Sequence, residues 1–148
     1  LANEQYFDGT TFHRVIPDFV IQGGDPNSKL ENRSLHGTGG RAGKFFGIGD
    51  ENDSSTWLIP QEFNSIPHEK GILSMARTND PNSASSQFFV CHGDPSFLDN
   101  NYTVFGKVIQ GLEVIDSIVN VEKDMNDNPL EKIEMTVKMA KRSEVIKD

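Results

Sequence analysis

The chain has 148 residues, enough for one domain with a substantial core and too few for two, so a single domain over residues 1–148 is expected. Its 22 acidic against 14 basic residues leave a net charge of −8, which repels phosphate backbones and argues against nucleic acid as a partner. No apolar run approaches the roughly 18 residues needed to span a bilayer, so no membrane partner is expected either.

Ten Phe among 148 residues assign much of the core to aromatic burial, and thirteen Gly with seven Pro favour a strand-rich, loop-rich fold over a helical bundle. The first segment, Leu1 to Tyr6, reads as the tail of a helix begun upstream, followed by a turn at Asp8-Gly9. Phe12 to Ile16 and Phe19 to Gln22 read as consecutive strands tightly connected through Pro17-Asp18. In the second of these, Val20 and Gln22 share one face, with Phe19 and Ile21 on the other. From Asn27 to about Ser65 the chain is a long polar connection with little regular structure.

Further strands are expected at Ile72–Ala76, Gln87–Cys91 and Thr103–Ile109. Gln87 and Phe89 share a face, so two strands each set an amide beside an apolar side chain. A wholly internal face rarely holds such an amide, because burying it without partners is costly. Leu112, Ile115, Ile118 and Val119 recur at helical spacing after Gly111. The clearest strand pattern comes last: Ile133, Met135, Val137 and Met139 alternate with Lys132, Glu134, Thr136 and Lys138. Lys138 to Arg142, the densest basic run, reads as a solvated strand end. The sum is an antiparallel barrel or sandwich with one or two covering helices. The visible strands are few for closing a barrel, so N-terminal strands are expected to be missing from this chain.

Cys91 is the one cysteine, which excludes an internal disulfide and reads as a small buried thiol. A cytoplasmic location is favoured, with a periplasmic or secreted one left open because the chain starts in mid-pattern at Leu1. Gly37 to Gly43 lacks the strand before it and the Gly-Lys-Ser/Thr ending of a phosphate loop. Asp50-Glu51-Asn52-Asp53 lacks the central Gly and closing Glu of a calcium loop. His36, His68 and His92 show no ligand spacing, so neither metal nor cofactor is expected.

The run Phe7-x-x-Thr10-x-Phe12-His13-Arg14-Val15-Ile16-x-x-Phe19-Val20-x-Gln22-Gly23-Gly24 closely resembles the signature of the cyclophilins. The resemblance continues through Gly37-Thr38-Gly39-Gly40, Gly71 to Ala76, Ser86 to Phe89, Phe97-Leu98-Asp99 and Val104 to Lys107. It implies an eight-stranded antiparallel barrel closed by two helices, its first strands absent here, with a proline-binding groove on the outer surface. It further implies peptidyl-prolyl cis-trans isomerase activity that assists protein folding. By position, Arg14 matches the catalytic arginine. Phe19, Val20, Phe89 and Leu98 match the proline pocket, with Gln22, counted with the catalytic set, and Gln87 as its polar wall. Gly37, Ala76, Arg77 and Thr78 fall on loops that contact the substrate backbone. Phe97 stands where many eukaryotic members have Trp, and Tyr102 where they have His, as in the bacterial branch. Trp there is associated with tight cyclosporin binding through its indole N–H, so weak cyclosporin binding is expected. His13 is expected to be structural, on the face opposite Arg14. The partners implied are proline-containing peptides and unfolded chains, met by a monomer. The alternative is a module that captures proline segments with little turnover.

Overall fold

A computed structural model describes residues 1–145. Five short strands, β1 (Arg14–Ile16), β2 (Val20–Gly23), β3 (Ile72–Met75), β4 (Phe88–Cys91) and β5 (Val104–Lys107), make one antiparallel sheet in the spatial order β1-β2-β4-β3-β5. β1 and β2 form a hairpin in which Arg14 stands opposite Gln22 and Ile16 opposite Val20. Its connection turns at Asp18, whose φ of 57° lies in the left-handed region that aspartate tolerates better than most side chains. A register shift between Leu73 and Ser74 bends β3 against β5.

Strand alternation divides the apolar side chains into two clusters. Val20, Ile72, Phe89, Cys91, Leu98 and Val104 form one, with Phe19, Ala76 and Tyr102 packed onto it. Val15, Ile21 and Val90 meet Ile115 and Val119 of the helix α1 (Leu112–Val119) in the other. α1 thus covers one sheet face, each buried branched side chain contributing about 2 kcal/mol. Leu112, on the same helical stripe, remains 39% exposed.

Three expectations change. Residues 1–6 form a 3-10 turn at Ala2–Glu4, ended by Gln5 at φ 54°, and not the last turn of an α-helix. Lys132 to Ala140 does not become a full ladder strand. Phe12 N–H donates to the Ile133 carbonyl at 3.1 Å, Met135 N–H to Thr10 at 2.8 Å and Gly9 N–H to Met135 at 3.1 Å. Thr11 and Glu134 make a single bridge. Past Met135 no further backbone partner is met among the described residues, because the segment before β1 offers only one short stretch of edge. The burial pattern still alternates through Val137, but Met139 is 71% exposed. Third, Arg142 begins a short helix, α2 (Arg142–Val145), where a strand end was expected. Among the described residues the sheet is therefore open, with β1 and β5 at its edges and no closed barrel.

The long connection is irregular, as its composition predicts, apart from 3-10 turns at Pro26–Lys29, Arg33–Leu35 and Ser54–Thr56. Its acidic stretch has a local use. Asp50 and Asp53 each accept hydrogen bonds from backbone N–H groups two residues on, and Trp57 Nε1–H donates to the Asp50 carbonyl.

Candidate functional site

A pocket of about 100 Å³ opens on the sheet face opposite α1. Nine side chains line it: Arg14, Phe19, Val20, Gln22, Ala76, Arg77, Phe89, Leu98 and Tyr102. All nine are candidates from the sequence. Its floor is apolar, since Val20, Phe89 and Leu98 are buried. Phe89 and Tyr102 meet edge to face with ring centroids 5.8 Å apart.

Phe19 reaches this face although strict alternation puts it opposite Val20. It precedes β2, so the pleat does not bind it, and the left-handed Asp18 swings it over the groove. There it lies 5.8 Å from the Arg14 guanidinium carbon and 5.6 Å from the Phe97 ring. Phe97 itself lines no part of the pocket and is 71% exposed at the rim. Arg14 is exposed, and its guanidinium has neither a hydrogen bond nor a carboxylate partner among the described residues. It is a charged donor left free at the pocket mouth.

Beside this pocket lies a second cavity of about 300 Å³. It shares Gln22, Ala76 and Arg77 with the first and takes Gly37, Thr78 and Gln87 into its lining, with Leu58, Ser83 and Ser85. The two glutamines are linked, Gln22 Nε2 donating to Gln87 Oε1 at 3.0 Å. Gln87 Nε2 donates in turn to the carbonyls of Gly37 and Gly39, at 3.0 and 2.7 Å. Gln87 is thus fully employed in tying a loop to the sheet, while Gln22 stays half-buried in the wall.

That loop is organised by Asp25, which the sequence reading passed over. Its carboxylate is fully buried and accepts from the backbone N–H groups of Asn27, Gly37 and Gly39. A side chain at Gly39 would meet Asp25 Oδ1 at 2.5 Å, so only glycine lets the backbone come this close. The signal was present as Asp25-Pro26, an N-cap followed by proline at the first position of a helical turn.

Opposite the loop, the turn Ser96–Leu98 carries Phe97 and Leu98. His68, with no exposed side-chain surface, fixes it from below. Its backbone N–H and its Nδ1 both reach Asp99 Oδ1, at 2.8 and 2.9 Å, and Nε2 lies 3.1 Å from Ser74 Oγ. An ionised carboxylate only accepts, so Nδ1 carries the proton and Nε2 faces the serine hydroxyl. The imidazole also stacks on Phe89 at 6.0 Å. These bonds, led by the backbone one, hold the Asp99 carboxyl below the usual carboxylate range. The sequence marked His68 only as lacking ligand spacing.

Arg77 joins the compartments. Nε and Nη2 donate to the Asn101 carbonyl at 3.2 and 2.7 Å, and the guanidinium carbon stands 4.3 Å from the centre of the Tyr102 ring. His13 is buried, and burial pushes its pKa down; its ring packs beneath Gly37. Cys91 is fully buried under the groove, where burial, then Asp94 and Asp99, push its thiol up to about 12. Among the described residues no three His, Cys, Asp or Glu side chains gather as a metal site would need.

Known proteins resemble this chain along most of its length. The model of the family "Cyclophilin type peptidyl-prolyl cis-trans isomerase/CLD" matches residues 1–139. Peptidyl-prolyl cis-trans isomerase ppi1 of Schizosaccharomyces pombe is 42% identical over 137 residues, covering 91% of this chain and 76% of that protein. A peptidyl-prolyl cis-trans isomerase of Acinetobacter baylyi is 38% identical over 125 residues, and this chain spans only 56% of its length. The crystal structure of a Cryptosporidium parvum cyclophilin type isomerase, obtained in the presence of the dipeptide Ala-Pro, superposes with a TM-score of 0.76. It is 29% identical and covers 95% of this chain and 81% of its own. The match over residues 1–139 and the relatives together place this chain in the family of cyclophilin type peptidyl-prolyl cis-trans isomerases.

Proposed function

We propose that the groove catalyses cis-trans rotation of X-Pro peptide bonds in flexible or unfolded chains, with Arg14 as the catalytic residue. The observation that carries this reading is a free guanidinium at the mouth of a pocket floored by Val20, Phe89 and Leu98.

An X-Pro bond resists rotation because the nitrogen lone pair is delocalised into the carbonyl, with a barrier of roughly 18–20 kcal/mol. The isomers differ by only about 0.5–1 kcal/mol, so the task is rate and not driving force. Twisting the bond localises the lone pair on nitrogen, where Arg14 can donate a hydrogen bond that the planar amide accepts poorly. The interaction therefore favours the transition state over the ground state. A gain of about 3 kcal/mol there raises the rate roughly a hundredfold. The apolar floor holds the proline ring while the preceding carbonyl swings past Gln22, and rigidity of this kind contributes further. No nucleophile or proton relay enters.

The test is turnover of an Ala-Pro peptide by the chain and by Arg14→Ala. We expect turnover by the first and a loss of about a hundredfold in the variant. Full activity of Arg14→Ala overturns the assignment, and binding without turnover by the unaltered chain favours a capture module. Phe97, exposed and without an N–H, supports weak cyclosporin binding with isomerase activity retained. Phe97→Trp should tighten that binding, and nanomolar affinity of the unaltered chain would refute the assignment.

A further inference from the structure

A third cavity, of about 570 Å³, continues from the proline pocket and shares Arg14, Gln22 and Arg77 with it. Its other walls come from His13, Arg33, His36 and Asn128 among others. In a chain with 22 acidic residues, three arginines border this cavity and no carboxylate does. Arg33 is partly neutralised, since Asp124 accepts from it at 2.9 Å. That carboxylate is already spent, taking further hydrogen bonds from the N–H groups of Asn126 and Asn128. Arg14 and Arg77 have no carboxylate within ion-pair distance among the described residues. Arg77 is held instead by carbonyls of Asn101 and Thr78 and by the Tyr102 ring, which fix it in place without cancelling its charge.

The histidines add no negative charge to this lining. His36 bonds through both ring nitrogens, to the Leu30 carbonyl and the Asn128 amide, each at 2.9 Å. Both ring nitrogens are therefore already engaged within the protein. His13 is buried, and burial lowers its pKa.

We propose that this cavity is a subsite for an acidic side chain, so that the groove prefers prolyl peptides with Asp or Glu beside the proline. This rests on the isomerase reading of the groove and adds a substrate class to it. With the proline ring over Phe89, a neighbouring residue reaches the cavity past Arg14 and Arg77. A concave site lined with one sign of charge concentrates the field on that residue. A lysine in the same place meets two uncompensated cations, while the Asp25 carboxylate behind Gly37 is buried and already accepts from three backbone N–H groups.

The experiment compares kcat/KM for prolyl tetrapeptides read by NMR exchange spectroscopy. One series places Glu, Gln or Lys before the proline, and a second places them after it. In at least one series, Glu should exceed Lys by about tenfold at low ionic strength, falling toward equality in about 0.5 M salt. Arg77→Gln should shrink the Glu-to-Lys ratio to about threefold or less, and Arg77→Lys should restore most of it. Equal values for Glu and Lys in both series overturn the proposal, as does a ratio indifferent to salt or to Arg77→Gln. Should no peptide be turned over, the isomerase reading fails. Dissociation constants for the same peptides, read by fluorescence anisotropy, then decide the subsite by the same ratio.

Discussion

The two walls of the groove are pinned to the sheet by opposite chemistry. On one side a glycine-rich loop, which has almost no side chains to bury, is gathered by the Asp25 carboxylate through the N–H groups of Gly37 and Gly39 and by Gln87 through two carbonyls, while Asp25 also caps its own turn at Asn27. On the other, the turn Ser96–Leu98 already packs Leu98 into the core, and the His68 contact with Asp99 only orients it. The first wall depends on a polar hub for its existence. The second depends on apolar burial and uses the polar contact for alignment.

Removing the hub should therefore have the largest effect. Asp25→Ala strips the loop of its acceptor and leaves amides unpaired, which should lower stability by about 3 kcal/mol in urea unfolding. The same change should loosen Gln22, so turnover should fall beyond what the lost stability explains. A variant within about 0.5 kcal/mol of the unaltered chain would erase the distinction between the walls. His68→Ala should cost about 2 kcal/mol, because it opens a cavity and leaves Ser74 without its partner. Its kinetic signature should be a raised KM with kcat changed less, since the pocket loosens around Phe89 and Leu98 while Arg14 is untouched.

A pH effect comes next. His13 has a depressed pKa, caused first by burial and then set by Asp25, which raises it, and by His36 and Arg14, which lower it. The unfolded chain then binds more protons than the folded one between the depressed value and the unperturbed 6.5. Stability from this group is complete above pH 6.5 and is lost as pH falls below it. His13→Gln should flatten the urea midpoint across that interval, and an unchanged slope would remove His13 as the cause. Smallest of all, Phe97→Ala should leave stability within about 0.5 kcal/mol, because the ring is 71% exposed.

The sequence carried the pocket further than it carried the frame. Nine of its candidate residues meet in one pocket; the resemblance named them by position, and strand alternation by itself put Val20 with Gln22, and Phe89 with Gln87, on shared faces. Phe19 escaped that logic, since a left-handed Asp18 is invisible to a period of two. Lys132 to Ala140 shows the reverse failure. Its alternation is faithful, but alternation reports a half-buried face and not a backbone partner, and partners come from elsewhere in the chain. The long-range roles of Asp25 and His68 were illegible for a third reason, although Asp25-Pro26 does mark a local N-cap. Their partners, Gly37, Gly39, Ser74 and Asp99, lie 6 to 31 residues away, and no local spacing encodes them.

Cys91 has a practical consequence. With its thiol fully buried and pushed up to about 12, Cys91 should resist thiol-directed reagents at neutral pH. A cysteine introduced in place of the exposed Phe97 would be the one position to take a maleimide. A fluorophore, a spin label or a tethered prolyl peptide could then be mounted at the groove rim with no background from the natural sulfur.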